Sequence, residues 1–312
     1  PYNIGGDSFR YNDSFSHSTW LVFMKNRLEA AKGLLSQDGA IFVQIDYIEL
    51  AHLRILCDEI FGRDNFIQIV TVRTATPAGF KVVNPGPVNV SEFILVYAKS
   101  KKDYPFKQEY VRSAYQKDYS HYIENLTDPP NKWVIGSVKD KAIQSLGFGS
   151  LRQLQREYGK EVAFALLDQA MASFAAQNPE CVFATYGPQK PAGILSKMVE
   201  ESKQRPGEIF FHERDGADPF IVKNGRLFAF YAKKLRNIDG KAGPTQILTD
   251  FWDDLSWDSL SSEGGVTLKN GKKPEALLRR IISLGTEPGE LVVDFFAGSG
   301  TTGAVAHKMG RR

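Results

Sequence analysis

The residues that most clearly point to chemistry form a short segment near the end of the 312-residue chain. Asp294 follows the apolar residues 291–293, and Gly298, Gly300 and Gly303 match the spacing G-x-G-x-x-G. Glycines let a backbone approach a ligand closely, and the first turn of a helix offers N–H groups to it. The segment therefore predicts a site for a nucleotide-like cofactor.

The elements around this segment must hold the carboxylate and the glycines in place. Residues 291–295 are apolar and partly β-branched, which predicts a buried strand. Residues 301–309 include Ala304 and Ala306, which favour a helix. A strand, a glycine-rich turn and a helix are together typical of the first unit of a nucleotide-binding α/β fold.

The glycine segment has three interpretations: a nicotinamide dinucleotide site, a methyl-donor site, or a tight turn with no ligand. A dinucleotide site normally has an acid about 20 residues further on, whereas this sequence stops at Arg312. The order of Asp294, Phe295, Phe296 and the glycines resembles the D-x-F-x-G-x-G loop of S-adenosylmethionine-dependent DNA methyltransferases. A carboxylate suits the methionine ammonium of that cofactor. We favour the methyl donor.

A second motif stands at the other end of the sequence. Pro1, Tyr2 and Asn3 resemble the tail of D-P-P-Y-N, the catalytic motif of amino-group DNA methyltransferases, although a proline before an aromatic residue is common by chance. In that family the tyrosine stacks on a base that has been flipped out of the duplex. The acceptor residues of the motif would precede Pro1, so we expect the sequence to be cut at both ends.

Between these motifs the sequence alternates between helices and strands. Helices are predicted over 20–35 and 49–61, and strands over 40–46, 66–72 and 91–99. Asp46 ends the first of these strands, so it either faces the site or is a solvated acid at the start of a loop. A helix is also predicted from Pro274 to about residue 284.

Residues 100–246 lose this alternation. They predict a long helical stretch over 151–177 and a hairpin over 219–231 on the Asn224-Gly225 turn. Residues 128–131 spell D-P-P-N but have no aromatic residue in fourth place, so we interpret them as a turn.

Composition excludes several classes of protein. The net charge is only +3, so any contact with DNA needs a local basic patch. Cys57 and Cys181 match no metal-ligand spacing, and we expect no metal site. We also expect a reduced, cytoplasmic protein that does not associate with a membrane.

Together, the P-Y-N, I-F-V-x-I-D, G-K-K-P-E-x-L-L and D-F-F-A-G-S-G-T-T segments resemble β-group adenine-specific DNA methyltransferases. The resemblance is nearest to the modification subunit of type III restriction–modification systems. It implies an α/β fold: a Rossmann-like methyltransferase sheet with circularly permuted motif order and an inserted α+β target-recognition region. The implied domains are a catalytic half at 1–99, the recognition insert at 100–246 and a cofactor-binding half at 247–312. The resemblance also implies that the strand at 91–99 is an antiparallel edge strand.

The implied reaction is transfer of a methyl group from S-adenosylmethionine to adenine N6 in double-stranded DNA. The catalytic residues would be Pro1, Tyr2 and Asn3. The cofactor-binding residues would be Lys273, Pro274, Asp294, Phe295, Phe296, Gly298, Ser299, Gly300, Thr301 and Thr302. The implied partners are a restriction (helicase–nuclease) subunit and a second copy in a homodimer. The alternatives are an N4-cytosine methyltransferase, a nicotinamide-dependent oxidoreductase and a non-catalytic DNA-recognition subunit.

Overall fold

The computed structural model describes residues 2, 3, 5, 14–76, 86–238, 240–257, 260, 263 and 272–312. The chain divides into two units. The first consists of Pro1–Glu109 and Leu248–Arg312, and the second of Tyr110–Ile247.

The helices and strands are numbered in chain order. The helices are α1 His17–Leu34, α2 Tyr47–Phe61, α3 Val138–Ser145, α4 Leu151–Tyr158, α5 Lys160–Gln177, α6 Gly193–Gln204, α7 Glu275–Gly285 and α8 Thr301–Lys308. The strands are β1 Ala40–Ile45, β2 Phe66–Arg73, β3 Ser91–Ala98, β4 Tyr110–Arg112, β5 His121–Ile123, β6 Ile135–Ser137, β7 Val182–Tyr186, β8 Phe210–Arg214, β9 Ala217–Lys223, β10 Arg226–Phe230, β11 Leu235–Ile238, β12 Lys241–Ile247 and β13 Phe251–Trp252. Within the described ranges, no helix is both long enough and apolar enough to span a bilayer.

The first unit is built on a four-stranded sheet with the order β1-β3-β2-β13. β3 pairs antiparallel with both β1 and β2, whereas β13 pairs parallel with β2. The expectation that residues 91–99 form an edge strand is therefore wrong, although the antiparallel direction is confirmed. Ile94, Leu95, Val96, Tyr97 and Ala98 are all buried, and such a continuous apolar run is typical of a strand covered on both faces.

The predicted helices α1 and α2 cover one face of this sheet. Trp20, Leu28 and Leu53 are fully buried in one cluster with Leu95 and Tyr97 of β3. Gly62 ends α2 with a φ of 90°, a backbone conformation that favours glycine. Each such apolar side chain stabilises the fold by about 1.5–3 kcal/mol on burial, so this cluster fixes the helices on the sheet.

α7 covers the opposite face. Leu277 of α7 packs with Trp252 and with the alternate β3 residues Ile94 and Val96. Successive side chains of a strand point to opposite faces, so β3 contributes to both layers of core. The first unit is thus a mixed α/β sandwich with helices on both faces of its sheet.

The prediction of a buried strand over residues 291–295 is wrong. The segment belongs to none of the sheets formed by the described residues. Leu291, Val293 and Phe295 are 64%, 51% and 41% exposed, while the backbone N–H of Val292 donates to the carbonyl of Arg312 at 2.8 Å. Apolar, β-branched composition produces a strand only when another strand pairs with it, and none of the described strands does so here.

The second unit contains a six-stranded sheet, β6-β5-β7-β10-β9-β8, and a three-stranded sheet, β11-β12-β4. The predicted hairpin is confirmed, with Asn224 and Gly225 at φ values of 51° and 73° between β9 and β10. The long helix predicted over 151–177 is divided into α4 and α5 at Gly159, whose φ is 77°. Residues 128–131 lie outside the strands, as expected for a turn: a bend at Asp128 leads into a single 3₁₀ turn at Pro130–Lys132.

Candidate active site

The first unit contains a cluster in which three side chains donate to one carboxylate, that of Glu92. Its Oε2 accepts hydrogen bonds from the Tyr2 hydroxyl at 2.7 Å, from Gln44 Nε2 at 2.6 Å and from Lys273 Nζ at 3.0 Å. Lys273 Nζ also lies 4.6 Å from the centroid of the Tyr2 ring, within the range of a cation–π contact. These contacts hold the Tyr2 ring at its hydroxyl and on one of its faces.

The sheet explains why these residues meet. Gln44 lies near the carboxyl end of β1, where it pairs with Ile94 of β3. Because β3 is antiparallel to β1, Glu92 at the start of β3 lies at that same edge. The carboxyl edge of the strands is where ligands usually bind in open α/β sheets.

The segment that contains Lys273 also joins this edge to α8, the helix that follows the glycine segment. Pro274 is buried and precedes α7, and Glu275, the first residue of α7, contacts Lys308 of α8 with both carboxylate oxygens at 2.7 Å from Nζ. Lys273 therefore reaches the Tyr2 cluster while Glu275, two residues later, holds the helix that follows the glycines.

Asp294 shapes the glycine segment. Its Oδ1 accepts from the backbone N–H of Phe296 at 2.9 Å, and its Oδ2 accepts from the hydroxyl of Thr302 at 2.6 Å. Gly298 and Gly300 have φ values of 52° and 72°, which glycine adopts at no steric cost. No side chain among the described residues caps α8, so the N–H groups of its first turn remain available for an acidic ligand.

A line of aromatic contacts connects the two terminal motifs. Asn3 Oδ1 accepts from the backbone N–H of Phe15 at 2.8 Å. The Phe15 ring stacks on Phe23 of α1 with centroids 5.3 Å apart, and Phe23 stacks on Phe296 at 6.0 Å. Phe295 lies beside Phe296 at 4.9 Å. Residues almost 300 positions apart in the sequence thus meet within one unit.

The remaining predicted site residues have other local roles. Asn3 has a φ of 61° and donates through Nδ2 to Glu49 Oε1 at 2.7 Å. Asp46 caps α2, because its Oδ1 accepts from the backbone N–H of Ile48 at 3.0 Å. The hydroxyls of Ser299 and Thr301 lie 2.6 Å apart at the start of α8. Pro1 lies outside the described residues.

Sequence reasoning did not assign a role to Gln44 or Glu92. Both are polar residues inside otherwise apolar strands, which was the available signal. A polar side chain within a buried strand needs a hydrogen-bonding partner: Gln44 donates to Glu92, and Glu92 also accepts from Tyr2 and Lys273.

A mixed α/β unit that carries Tyr2 at a sheet edge and a glycine segment before α8 is consistent with a methyltransferase fold. The family model described as DNA methylase matches residues 1–312. The chain belongs to the DNA methylase family, and the resemblance inferred from its motifs is confirmed.

Individual relatives are similar over nearly the whole chain. It is 38% identical to the probable type III restriction-modification enzyme HindVI Mod subunit of Haemophilus influenzae, over 100% of this chain and 44% of that protein. It is 34% identical to the type II methyltransferase M.EcaI of Enterobacter cloacae, over 100% of the chain and 59% of the relative. It is 28% identical to the type II methyltransferase M.KpnI of Klebsiella pneumoniae, over 98% of the chain and 69% of that relative. The chain spans about half the length of the type III relatives it matches.

Proposed function

We propose that the protein transfers a methyl group from S-adenosylmethionine to N6 of adenine in double-stranded DNA, as the modification component of a restriction–modification system. The observation that most supports this is the link between the two terminal motifs. Tyr2 meets Lys273 on Glu92, and the contacts of Phe15, Phe23 and Phe296 run from Asn3 to the glycine segment. Methylation of a base requires the flipped base and the donor to share one site, and these contacts support a shared site for the two motifs.

The residues of the glycine segment fit the methyl donor chemically. A carboxylate has about four lone-pair positions, and Asp294 accepts from Phe296 and Thr302 within its own loop. The remaining positions suit an ammonium group, and Gly298, Gly300 and the first turn of α8 suit the acidic and polar parts of the ligand. When bound, S-adenosylmethionine supplies the electrophilic methyl group.

Tyr2 would hold the base. Its hydroxyl donates to Glu92 and one ring face is near Lys273, so the ring direction is set before a base arrives. An aromatic face binds any base by stacking, which is worth about 1–3 kcal/mol per base. Pro1 and Asn3 complete the proposed catalytic segment.

The insert, residues 100–246, would recognise the DNA target. In the sequence it separates the catalytic half, 1–99, from the cofactor half, 247–312, which is the permuted motif order of the Rossmann-like methyltransferase sheet. The excess of positive charge supports this, because Tyr110–Ile247 carries more lysines and arginines than acids, whereas the rest of the sequence does not. A restriction subunit and a second copy of the chain are the proposed protein partners.

The test is single-turnover methylation of duplex DNA by the full-length protein and its Tyr2→Phe and Tyr2→Ala variants. Mass spectrometry of the nucleosides separates N6-methyladenine from the N4-methylcytosine of the alternative reaction. We expect N6-methyladenine, most activity in Tyr2→Phe, and a rate about 5- to 150-fold lower in Tyr2→Ala, which corresponds to about 1–3 kcal/mol of stacking.

Three results would contradict this proposal. DNA binding without methylation in the wild type would favour a non-catalytic recognition subunit. An unchanged rate in Tyr2→Ala would remove the stacking role. N4-methylcytosine as the product would assign the alternative substrate.

A further inference from the structure

A second polar cluster lies where the first turns of α1 and α2 approach each other. It consists of His17, the first residue of α1, and of Glu49 and His52, which are one turn apart on α2. His17 Nδ1 lies 3.0 Å from Glu49 Oε1, and His52 Nδ1 lies 3.4 Å from Glu49 Oε2. One potential ligand atom from each residue lies within 4.8 Å of the other two.

The carboxylate at the centre of the cluster is buried. The side chain of Glu49 is 3% exposed, and its Oε2 accepts no hydrogen bond from any residue that the structure describes. A buried carboxylate oxygen is costly unless it accepts a hydrogen bond or pairs with a cation. Oε2 faces His52, so the unsatisfied oxygen points into the cluster rather than away from it.

The spacing of the three side chains suits a small metal ion. Zn²⁺ binds imidazole nitrogen and carboxylate oxygen at about 2.0–2.2 Å, so two ligands of a tetrahedral ion are about 3.4 Å apart. The separations of 3.0 and 3.4 Å around Glu49 are close to this value. His17 and His52 are 46% and 50% exposed, so an ion can enter from solvent and water can complete its coordination.

We propose that His17, Glu49 and His52 bind one divalent transition-metal ion of the Zn²⁺ class. Two imidazoles and one carboxylate suit such ions, whereas Mg²⁺ and Ca²⁺ prefer oxygen ligands throughout. The sequence contains a usable signal in Glu49-x-x-His52, because residues three apart share one face of a helix. The spacing of the cysteines does not reveal this site, and His17 joins the pair only through the packing of α1 on α2.

The metal site would position the neighbouring catalytic segment rather than take part in methyl transfer. Asn3 Nδ2 donates to Glu49 Oε1 at 2.7 Å, and hydrogen bonds to a ligating carboxylate fix its orientation. Asn3 directly follows Tyr2 in the sequence. A bound ion therefore holds Glu49, and through Glu49 it restrains the segment that carries Tyr2.

The test is calorimetric titration of Zn²⁺ into the chain after removal of any purification tag and dialysis against a chelator. Co²⁺ serves as a spectroscopic probe, because Co²⁺ bound by nitrogen ligands at a low coordination number absorbs visible light. The variants are His17→Ala, His52→Ala and Glu49→Gln. His212→Ala is the matched control, because His212 is an exposed histidine of the other unit.

We expect the chain to bind one Zn²⁺, and we expect an excess of Mg²⁺ not to compete with it. Loss of an outer partner of a metal ligand typically weakens binding about 10- to 100-fold, so loss of a ligand should weaken it by at least about tenfold. The Co²⁺ absorption bands should disappear in His17→Ala and His52→Ala and persist in His212→Ala. Should Glu49→Gln fail to fold, the two histidine variants still decide the question.

The proposal is overturned if the wild type binds no stoichiometric Zn²⁺. It is also overturned if His212→Ala weakens binding as much as His17→Ala and His52→Ala do, or if Mg²⁺ displaces Zn²⁺ at equal concentration.

Discussion

Glu92 offers the sharpest test of how the first unit is held together, because Tyr2, Gln44 and Lys273 all donate to its Oε2. Glu92→Gln preserves the shape and one acceptor oxygen but removes the charge. Hydrogen bonds to charged groups are worth about 1.5–3 kcal/mol and neutral ones about 0.5–1.5 kcal/mol. Glu92 and Lys273 are 19% and 21% exposed, so solvent screens part of the difference. We expect the free energy of unfolding to fall by about 2–3 kcal/mol.

The measurement is urea unfolding of the wild type, Glu92→Gln and the control Glu29→Gln. Glu29 is 53% exposed and 3.9 Å from Lys25 on α1, and exposed pairs of this kind contribute about 0–1 kcal/mol. Unfolding is followed by the fluorescence of Trp20, Trp252 and Trp257, which all lie in the first unit, in a Trp133→Phe background. The reasoning is refuted if Glu92→Gln is as stable as Glu29→Gln with unchanged dependence on urea.

Two further predictions concern the stability of the same unit. Gly300→Ala should lower the free energy of unfolding by about 1–2 kcal/mol, because φ at Gly300 is 72°. Gly303→Ala lies within helix α8 and should raise the free energy of unfolding by up to about 1 kcal/mol. Urea unfolding of the two variants measures both changes. Burial alone would raise the pKa of Asp254, but the hydrogen bonds and charge of Arg280 outweigh it and hold that pKa below its ordinary value of 3.8. The folded form has the lower pKa, so the stabilisation is complete above about pH 3.8 and is lost as the pH falls through the folded value. Asp254→Asn should remove this acid-dependent part of the stability, measured as unfolding free energy against pH.

The local elements of the first unit could be predicted because their signals lie within short segments. Apolar residues at helical spacing indicated α1 and α2. Strand pairing is a property of the whole fold, so chain order alone placed β3 wrongly at an edge. The strand predicted over residues 291–295 does not form for a related reason: the composition of a segment does not determine whether another strand pairs with it.

The candidate site shows the same division. Tyr2, Lys273 and Asp294 were identified because they belong to recognisable motifs. Glu92 and Gln44 were not, because only the register between β1 and β3 places them beside Tyr2. The functional residues hidden from the sequence are those whose partners are brought together by tertiary pairing.

The proposed function requires Asp294 and the glycine segment to hold the methyl donor close to Tyr2. The most direct measurement is calorimetric titration of S-adenosylhomocysteine into the full-length protein and its Asp294→Asn and Asp294→Ala variants. Asp294→Asn keeps one oxygen to accept from the backbone N–H of Phe296, and its amide group can donate to the hydroxyl of Thr302, so it removes the charge with little change in the loop. Asp215→Ala, an exposed acid of the other unit, is the control.

We expect Asp294→Ala to weaken binding by about 2–5 kcal/mol, since a bound ammonium would lose its counter-charge. Asp294→Asn should weaken it to a lesser extent, and Asp215→Ala should bind as the wild type does. An unchanged dissociation constant in folded Asp294→Ala and Asp294→Asn would show that Asp294 is not a ligand and would contradict the account.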